Sequence, residues 1–151
     1  MDDKRTDIAT RELWARLFHA PSIDQYFAEN GSLCEMPVFS EYITELARLR
    51  GEKPERVISR AGIERSFGHR LFSGARNPSR DTVLQLAFGL ELSTEETQRL
   101  LKIAQMTPLH PKVKRDAVIA YHLHNGLPLI EAQGALHGFG LPLIGGGRKD
   151  D

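Results

Sequence analysis

The sequence predicts an all-α protein. Apolar residues recur at the three- and four-residue spacing of amphipathic helices, rather than in the alternation expected of half-buried strands. Glycine, proline and capping residues divide the chain into segments of helix length. Of the 151 residues, 40% are hydrophobic, which is enough for a core, and 26% are charged, which is ordinary for a globular protein.

A first helix is predicted over residues 6–19 and ends before Pro21. Its apolar stripe consists of Ile8, Leu13, Trp14, Leu17 and Phe18. Ser22 begins a candidate capping box for a second helix. Because Pro37 marks a boundary, residues 1–36 are predicted to form an N-terminal helical extension.

Five helices are predicted within residues 37–106, which we assign to one domain. Pro54 suits the first position of a helix, where an N–H would have no partner. Gly62 and Gly74 are candidates for the left-handed residues that end helices. Ser93-Thr94-Glu95-Glu96 is a capping box that opens the fifth helix of this set.

Two further helices, over 111–124 and 128–138, are predicted to form a C-terminal helical hairpin within residues 107–144. Residues 145–151 are predicted to be a flexible tail. The N-terminal extension and the hairpin could support a homodimer or complete the core. We find no internal repeat in the sequence.

Positive charge is concentrated in one part of a chain whose net charge is zero. Residues 47–80 carry nine cations against three glutamates, a balance of +6. The cations are Arg48, Arg50, Lys53, Arg56, Arg60, Arg65, Arg70, Arg76 and Arg80. Such a block can be the electrostatic footprint of a nucleic-acid-binding protein. Arginines that only solvate helix faces would produce the same composition.

Within this block, two short predicted helices meet across a tight turn at Gly62-Ile63. A helix-turn-helix has this arrangement, and its second helix can lie in the major groove of DNA. The turn, the apolar Leu71, the terminal Gly74 and the sequence Arg76-Asn77-Pro78-Ser79 stand in the register of one known family. On these residues, positions 39–104 resemble the lambda-repressor-like (Cro-type, XRE-like) helix-turn-helix family. The resemblance implies a five-helix core and a transcriptional regulator that binds specific sequences of double-stranded DNA.

The resemblance also implies that residues 64–73 form the recognition helix. The residues it would turn towards DNA, with the loop that follows, are Glu64, Arg65, Ser66, His69, Arg70, Arg76 and Asn77. Arg65 could meet two acceptors of one guanine, and Ser66 and His69 could reach bases or phosphates. Glu64 could accept a hydrogen bond from cytosine, or only complement the helix dipole. Arg70, Arg76 and Asn77 are expected at phosphates, where contacts position the protein without reading sequence.

Three residues depart from the family pattern. Pro54 stands where the family has a glutamine that caps the helix and touches a phosphate. Ile58 stands where it has alanine, and Gly68 where it has a branched aliphatic residue. We interpret the last two as an exchange of large and small partners that conserves volume, and expect carbon atoms of Ile58 within about 4.5 Å of Gly68. Alternatively, Gly68 loosens the recognition helix. The neutral net charge, Pro54 and Gly68 favour a second interpretation, in which the chain is a protein-interaction module that keeps the fold without reading DNA.

Other functional classes have little support in the sequence. No motif for catalysis or for binding a cofactor is recognised, so we do not expect an enzyme. His122 and His124 are two residues apart, unlike the i, i+4 pair of a helical metal site, and Cys34 has no nucleophile signature around it. The sequence also has no secretion signal and no apolar stretch of about 20 residues that could span a membrane. We therefore expect a cytoplasmic protein.

Overall fold

A computed structural model describes residues 3–146 of the chain, and none of these residues lies in a β-strand. The prediction of an all-α protein is therefore confirmed for the described residues. The chain divides between Met36 and Pro37 into two compact units. No helix in the described part of the chain is long and apolar enough to cross a membrane.

The first unit contains α1 (Asp3–His19), α2 (Ile23–Asn30) and a short 3-10 helix at Gly31–Leu33. The side chain of Ser22 caps α2 by accepting a hydrogen bond from the Gln25 N–H at 3.1 Å. Its buried side chains are few: the described ones are Tyr26 and Asn30. This unit has little hydrophobic core of its own.

Two aromatic residues of the predicted apolar stripe of α1 are exposed. Trp14 and Phe18 stack on each other with ring centroids 5.4 Å apart, but they remain 56% and 74% exposed. The single cysteine, Cys34, is also exposed. The predicted helix is present, but these two aromatic side chains of its stripe are not buried.

The second unit contains seven helices in its described residues. They are α3 (Phe39–Leu49), α4 (Pro54–Arg60), α5 (Arg65–Ser73), α6 (Arg80–Gly89), α7 (Thr94–Ile103), α8 (Lys114–His124) and α9 (Leu129–Gly138). Pro54 occupies the first turn of α4, and Ser79 caps α6 through its side chain. Ser93 and Glu96 form the complete capping box of α7. These helix starts agree with the sequence analysis within a few residues.

One hydrophobic core runs through all seven of these helices. Ile43 and Leu71 are fully buried in α3 and α5, and Leu84 and Leu101 are fully buried in α6 and α7. The C-terminal hairpin contributes to the same core, since Ile119 of α8 and Leu136 of α9 are also inaccessible to solvent. Of the two roles considered for the hairpin, completing the core is the one that the structure shows.

The structure reveals an internal repeat, so our interpretation that the chain has none is wrong. Residues 80–111, with α6 and α7, recur as residues 115–146, with α8 and α9, at an offset of 35 positions. Identical residues at this offset are Arg80/Arg115, Asp81/Asp116, Val83/Val118, Leu92/Leu127, Glu96/Glu131, Gln98/Gln133 and Leu101/Leu136. The backbone repeats as well, because left-handed residues follow each helix at Glu91 and Gly126 and at Gln105 and Gly140.

The two copies of the repeat are joined by reciprocal ion pairs. Arg80 binds both carboxylate oxygens of Asp116, at 3.2 and 3.0 Å. Arg115 binds both oxygens of Asp81, at 3.1 and 3.0 Å. Bidentate pairs of this kind are directional as well as strong, so they join the first turn of α8 to the first turn of α6.

Each arginine and aspartate of these pairs also holds a loop of the repeat. Arg80 donates to the carbonyls of residues 107 and 108, and Arg115 to those of residues 142 and 143. The backbone N–H of His110 donates to Asp116 at 3.1 Å, and that of Gly145 donates to Asp81 at 2.8 Å. Of the predicted flexible tail 145–151, Gly145 is therefore anchored, whereas residues 147–151 lie outside the described residues.

Candidate nucleic-acid interface

A tight turn joins α4 to α5. Gly62 adopts the left-handed conformation at φ +68°, as its identity predicts. The side-chain amide of Gln85 in α6 donates to the Ala61 carbonyl at 3.2 Å. On the outer side, a Cβ on Gly62 would lie 3.2 Å from Leu129 of α9. The turn is thus held by α6 and contacted by the C-terminal hairpin.

Ile58 of α4 packs directly on Gly68 of α5. A Cβ built on Gly68 would lie 2.5 Å from Cγ2 of Ile58 and 2.7 Å from Cγ1. Since a Cβ is about 1.5 Å from its Cα, as any C–C single bond is, carbons of Ile58 lie within the distance that we predicted. Ile58 is 2% exposed. The expected packing of the large residue over the small one is confirmed.

Glu64 is the N-cap of α5. Its carboxylate accepts hydrogen bonds from the N–H groups of Ser66 at 2.7 Å and Phe67 at 3.0 Å. These backbone hydrogen bonds, that of Ser66 first, hold the pKa of Glu64 below its ordinary value. Of the two roles considered for Glu64, the one at the helix terminus is observed.

The outer face of α5 carries the other predicted residues of the helix. Arg65, Ser66 and Arg70 are exposed, and His69 is half-buried. These four, with Glu64 and Ser73, line one shallow surface depression. Arg70 donates to the Ser66 hydroxyl at 3.1 Å. The structure therefore brings five of the seven predicted site residues together.

The other two predicted residues, Arg76 and Asn77, are exposed in the loop after α5. Gly74 ends the helix at φ +89°, and the Arg76 N–H then donates to the Arg70 carbonyl at 3.2 Å. The guanidinium carbon of Arg76 lies 5.3 Å from the ring centroid of Phe67. Arg76 therefore folds back beside α5, whereas no described contact ties the side chain of Asn77 to that face.

The basic block of residues 47–80 is less uniform than its composition indicates. Four of its arginines form ion pairs: Arg48 with Glu45, Arg50 with Glu96, Arg60 with Glu52 and Arg80 with Asp116. Three of these carboxylates lie outside the block, so the balance of +6 overstates the charge available to a ligand.

Five cations of the block have no carboxylate within ion-pair distance among residues 3–146. They are Lys53, Arg56, Arg65, Arg70 and Arg76. Lys53 and Arg56, at the start of α4, were not among the predicted site residues, although both are exposed. Their position in the basic block was the signal that could have identified them.

The described part of the chain shows no group of three or more His, Cys, Asp or Glu side chains placed to hold a metal ion. No protein-family model, curated protein or solved structure matches the chain.

Proposed function

We propose that the chain is a transcriptional regulator that binds specific sequences of double-stranded DNA, with α5 as its recognition helix in a lambda-repressor-like helix-turn-helix. One observation carries the proposal. The five cations of the basic block without a carboxylate partner among the described residues belong to α4 and its N-cap, α5 and the following loop, and Arg65 and Arg70 share the outer face of α5. Unpaired arginine and lysine side chains on one surface are what phosphate binding requires.

The division of roles follows from side-chain geometry. Arg65 stands at the start of α5, where a recognition helix presents side chains to base edges, and its planar fork can satisfy O6 and N7 of one guanine. Arg70, Arg76, Lys53 and Arg56 supply positive charge suited to phosphates. Glu64 contributes by fixing the first turn of α5 through its cap.

A protein-interaction module is the second candidate. Pro54 favours it, because α4 begins at this proline and its N-cap, Lys53, makes no side-chain capping bond. The phosphate contact that the family makes through a glutamine at this position is therefore lost. Gly68 gives it no added support, since Ile58 fills the space beside that glycine.

Binding to pooled genomic fragments at increasing salt separates the two candidates. DNA affinity should fall steeply between about 50 and 200 mM salt, because counterions displaced from phosphates return to the duplex. Affinity that is absent, or flat across this range, would favour the interaction module.

Two substitutions then test specificity. Arg65→Ala should cost about 1–3 kcal/mol on the preferred duplex and relax the choice of base at one position. Arg76→Ala should weaken all duplexes alike and lower the salt slope by about one. Lys114→Ala is the matched control, since it removes one exposed positive charge from α8. Equal losses for Arg65→Ala on matched and mismatched duplexes would remove Arg65 from base readout.

A further inference from the structure

Of the five cations of the basic block without a carboxylate partner, Arg76 is the one that contacts an aromatic ring among the described residues. Its guanidinium lies over the ring of Phe67 at 5.3 Å, within the roughly 6 Å at which a cation is attracted to an aromatic face. Phe67 itself is 9% exposed and belongs to the core. The ring is therefore a fixed platform rather than a second mobile side chain.

The backbone of the loop also directs Arg76 onto α5. Its N–H donates to the Arg70 carbonyl, and the Ser73 hydroxyl joins that same carbonyl to the Ala75 N–H at 3.1 and 3.3 Å. Gly74 makes the reversal possible, and a Cβ there would lie 3.0 Å from the Ser40 hydroxyl. Backbone hydrogen bonds thus fix the loop, and the ring of Phe67 contacts the guanidinium at the end of the Arg76 side chain.

The way in which Arg76 is held leaves its donors available. Arg60 and Arg80 use their N–H groups on carbonyls and carboxylates of the protein. The guanidinium carbon of Arg76 lies over the Phe67 ring, and no acceptor among residues 3–146 takes a hydrogen bond from the Arg76 side chain. Its N–H groups are therefore available to a phosphate, which a guanidinium can bind through two hydrogen bonds.

We propose that Phe67 is a positioning residue, which holds the guanidinium of Arg76 ready for one phosphate of the DNA backbone beside α5. The inference rests on the proposed DNA-binding function. A free arginine side chain loses much of its conformational freedom when it binds. On Phe67 that freedom is already restricted in the unbound protein, so less is lost on contact with the phosphate.

The test is a double-mutant cycle on one duplex with Phe67→Leu, Arg76→Ala and the pair. Leucine keeps an apolar side chain in the core but has no aromatic face. Phe67→Leu should weaken binding about two- to fivefold, the worth of an exposed cation–π contact. It should leave the salt slope unchanged, because Arg76 is still present. In the Arg76→Ala protein, Phe67→Leu should have no further effect.

Two measurements separate positioning from a mere defect of folding. Phe67→Tyr retains an aromatic face and should restore the affinity that leucine loses. In the free protein, the side-chain protons of Arg76 should show an upfield ring-current shift that Phe67→Leu abolishes and Phe67→Tyr keeps. A folding defect would weaken binding equally with and without Arg76, and tyrosine would not selectively rescue it.

The outcomes distinguish the inference from the function on which it rests. If the unmodified protein binds no DNA, the proposed function fails and the role of Phe67 fails with it. If it binds DNA but the losses of Phe67→Leu and Arg76→Ala simply add, only the positioning role is overturned.

Discussion

The packing of Ile58 on Gly68 can be tested by placing a small side chain at position 58 and a large one at position 68. Ile58→Ala removes a side chain that is 2% exposed and should lower the free energy of unfolding by about 2–5 kcal/mol. Gly68→Val adds a branched side chain where a Cβ alone would lie 2.5 Å from Ile58, an overpacking that should cost about 1–3 kcal/mol. Independent effects would therefore sum to at least about 3 kcal/mol in the double mutant.

If the two residues share one volume, the double mutant restores the pattern of a small residue in α4 and a branched one in α5. Such an exchange should cost less than about 1.5 kcal/mol. Urea unfolding followed by far-ultraviolet circular dichroism measures all four proteins. Fluorescence would be a poor probe, because the single tryptophan, Trp14, lies in the first unit.

The matched control is Gly134→Val in α9, where a Cβ would meet nothing within 4 Å. Combined with Ile58→Ala, it should give losses that add within about 0.5 kcal/mol. The reasoning is refuted if the stability losses of Gly68→Val and Ile58→Ala are also additive in their double mutant. Gly68 would then require a cause other than the bulk of its neighbour.

Three other predictions concern stability. Asp81→Asn and Asp116→Asn each leave a bidentate arginine without its anion and should lower the free energy of unfolding by up to about 3–5 kcal/mol, the cost of breaking a fully buried pair. The larger loss is expected at Asp116, whose side chain is 6% exposed against 16% for Asp81. Stability in urea equal to that of the unmodified protein would show that the ion pairs do not hold the repeats together. The hydrogen bonds of the cap lower the pKa of Glu64 in the folded protein, so its contribution to stability is full above the unfolded pKa and is lost as the pH falls through the lower folded pKa. The difference in stability between the unmodified protein and Glu64→Ala should therefore shrink over that acidic range, and a difference that is constant with pH would contradict the role of the carboxylate. Gly89→Ala should destabilise the protein, because the added Cβ would collide with a backbone carbonyl of α4, whereas Gly138→Ala should not, because the space around Gly138 is open. The thermal unfolding temperatures of the two variants test this difference.

The local signals in the sequence were sufficient for the helices of the second unit. Ser79, Ser93 and Pro54 begin helices there because their side chains satisfy, or their ring dispenses with, N–H groups that a first helical turn leaves unpaired. Gly62 and Gly74 end them because the left-handed conformation suits a residue without Cβ. These effects act within a few residues, so the sequence displays them directly.

Partners distant in sequence could not be predicted in this way. Arg60 and Arg80 look like free cations in a basic block, but Arg60 donates to the carbonyl of Gly89 and Arg80 binds Asp116. The repeat could not be predicted from the sequence for the same reason. Most of its apolar positions accept any residue of suitable volume, so few residues are identical between the two copies. Their equivalence becomes evident only from the reciprocal contacts in the structure.

The neutral net charge of the chain is compatible with a cationic binding surface once the carboxylates are assigned. Asp81 and Asp116 neutralise arginines within the repeats, and Glu96 neutralises Arg50. At physiological salt, screening over about 8 Å makes the field at a surface depend on its nearest charges rather than on the sum over the chain. Near the outer face of α5, the engaged Glu64 is the only carboxylate among the described residues that line the depression. A zero net charge therefore argues against strong long-range steering, but not against binding of phosphate at this face.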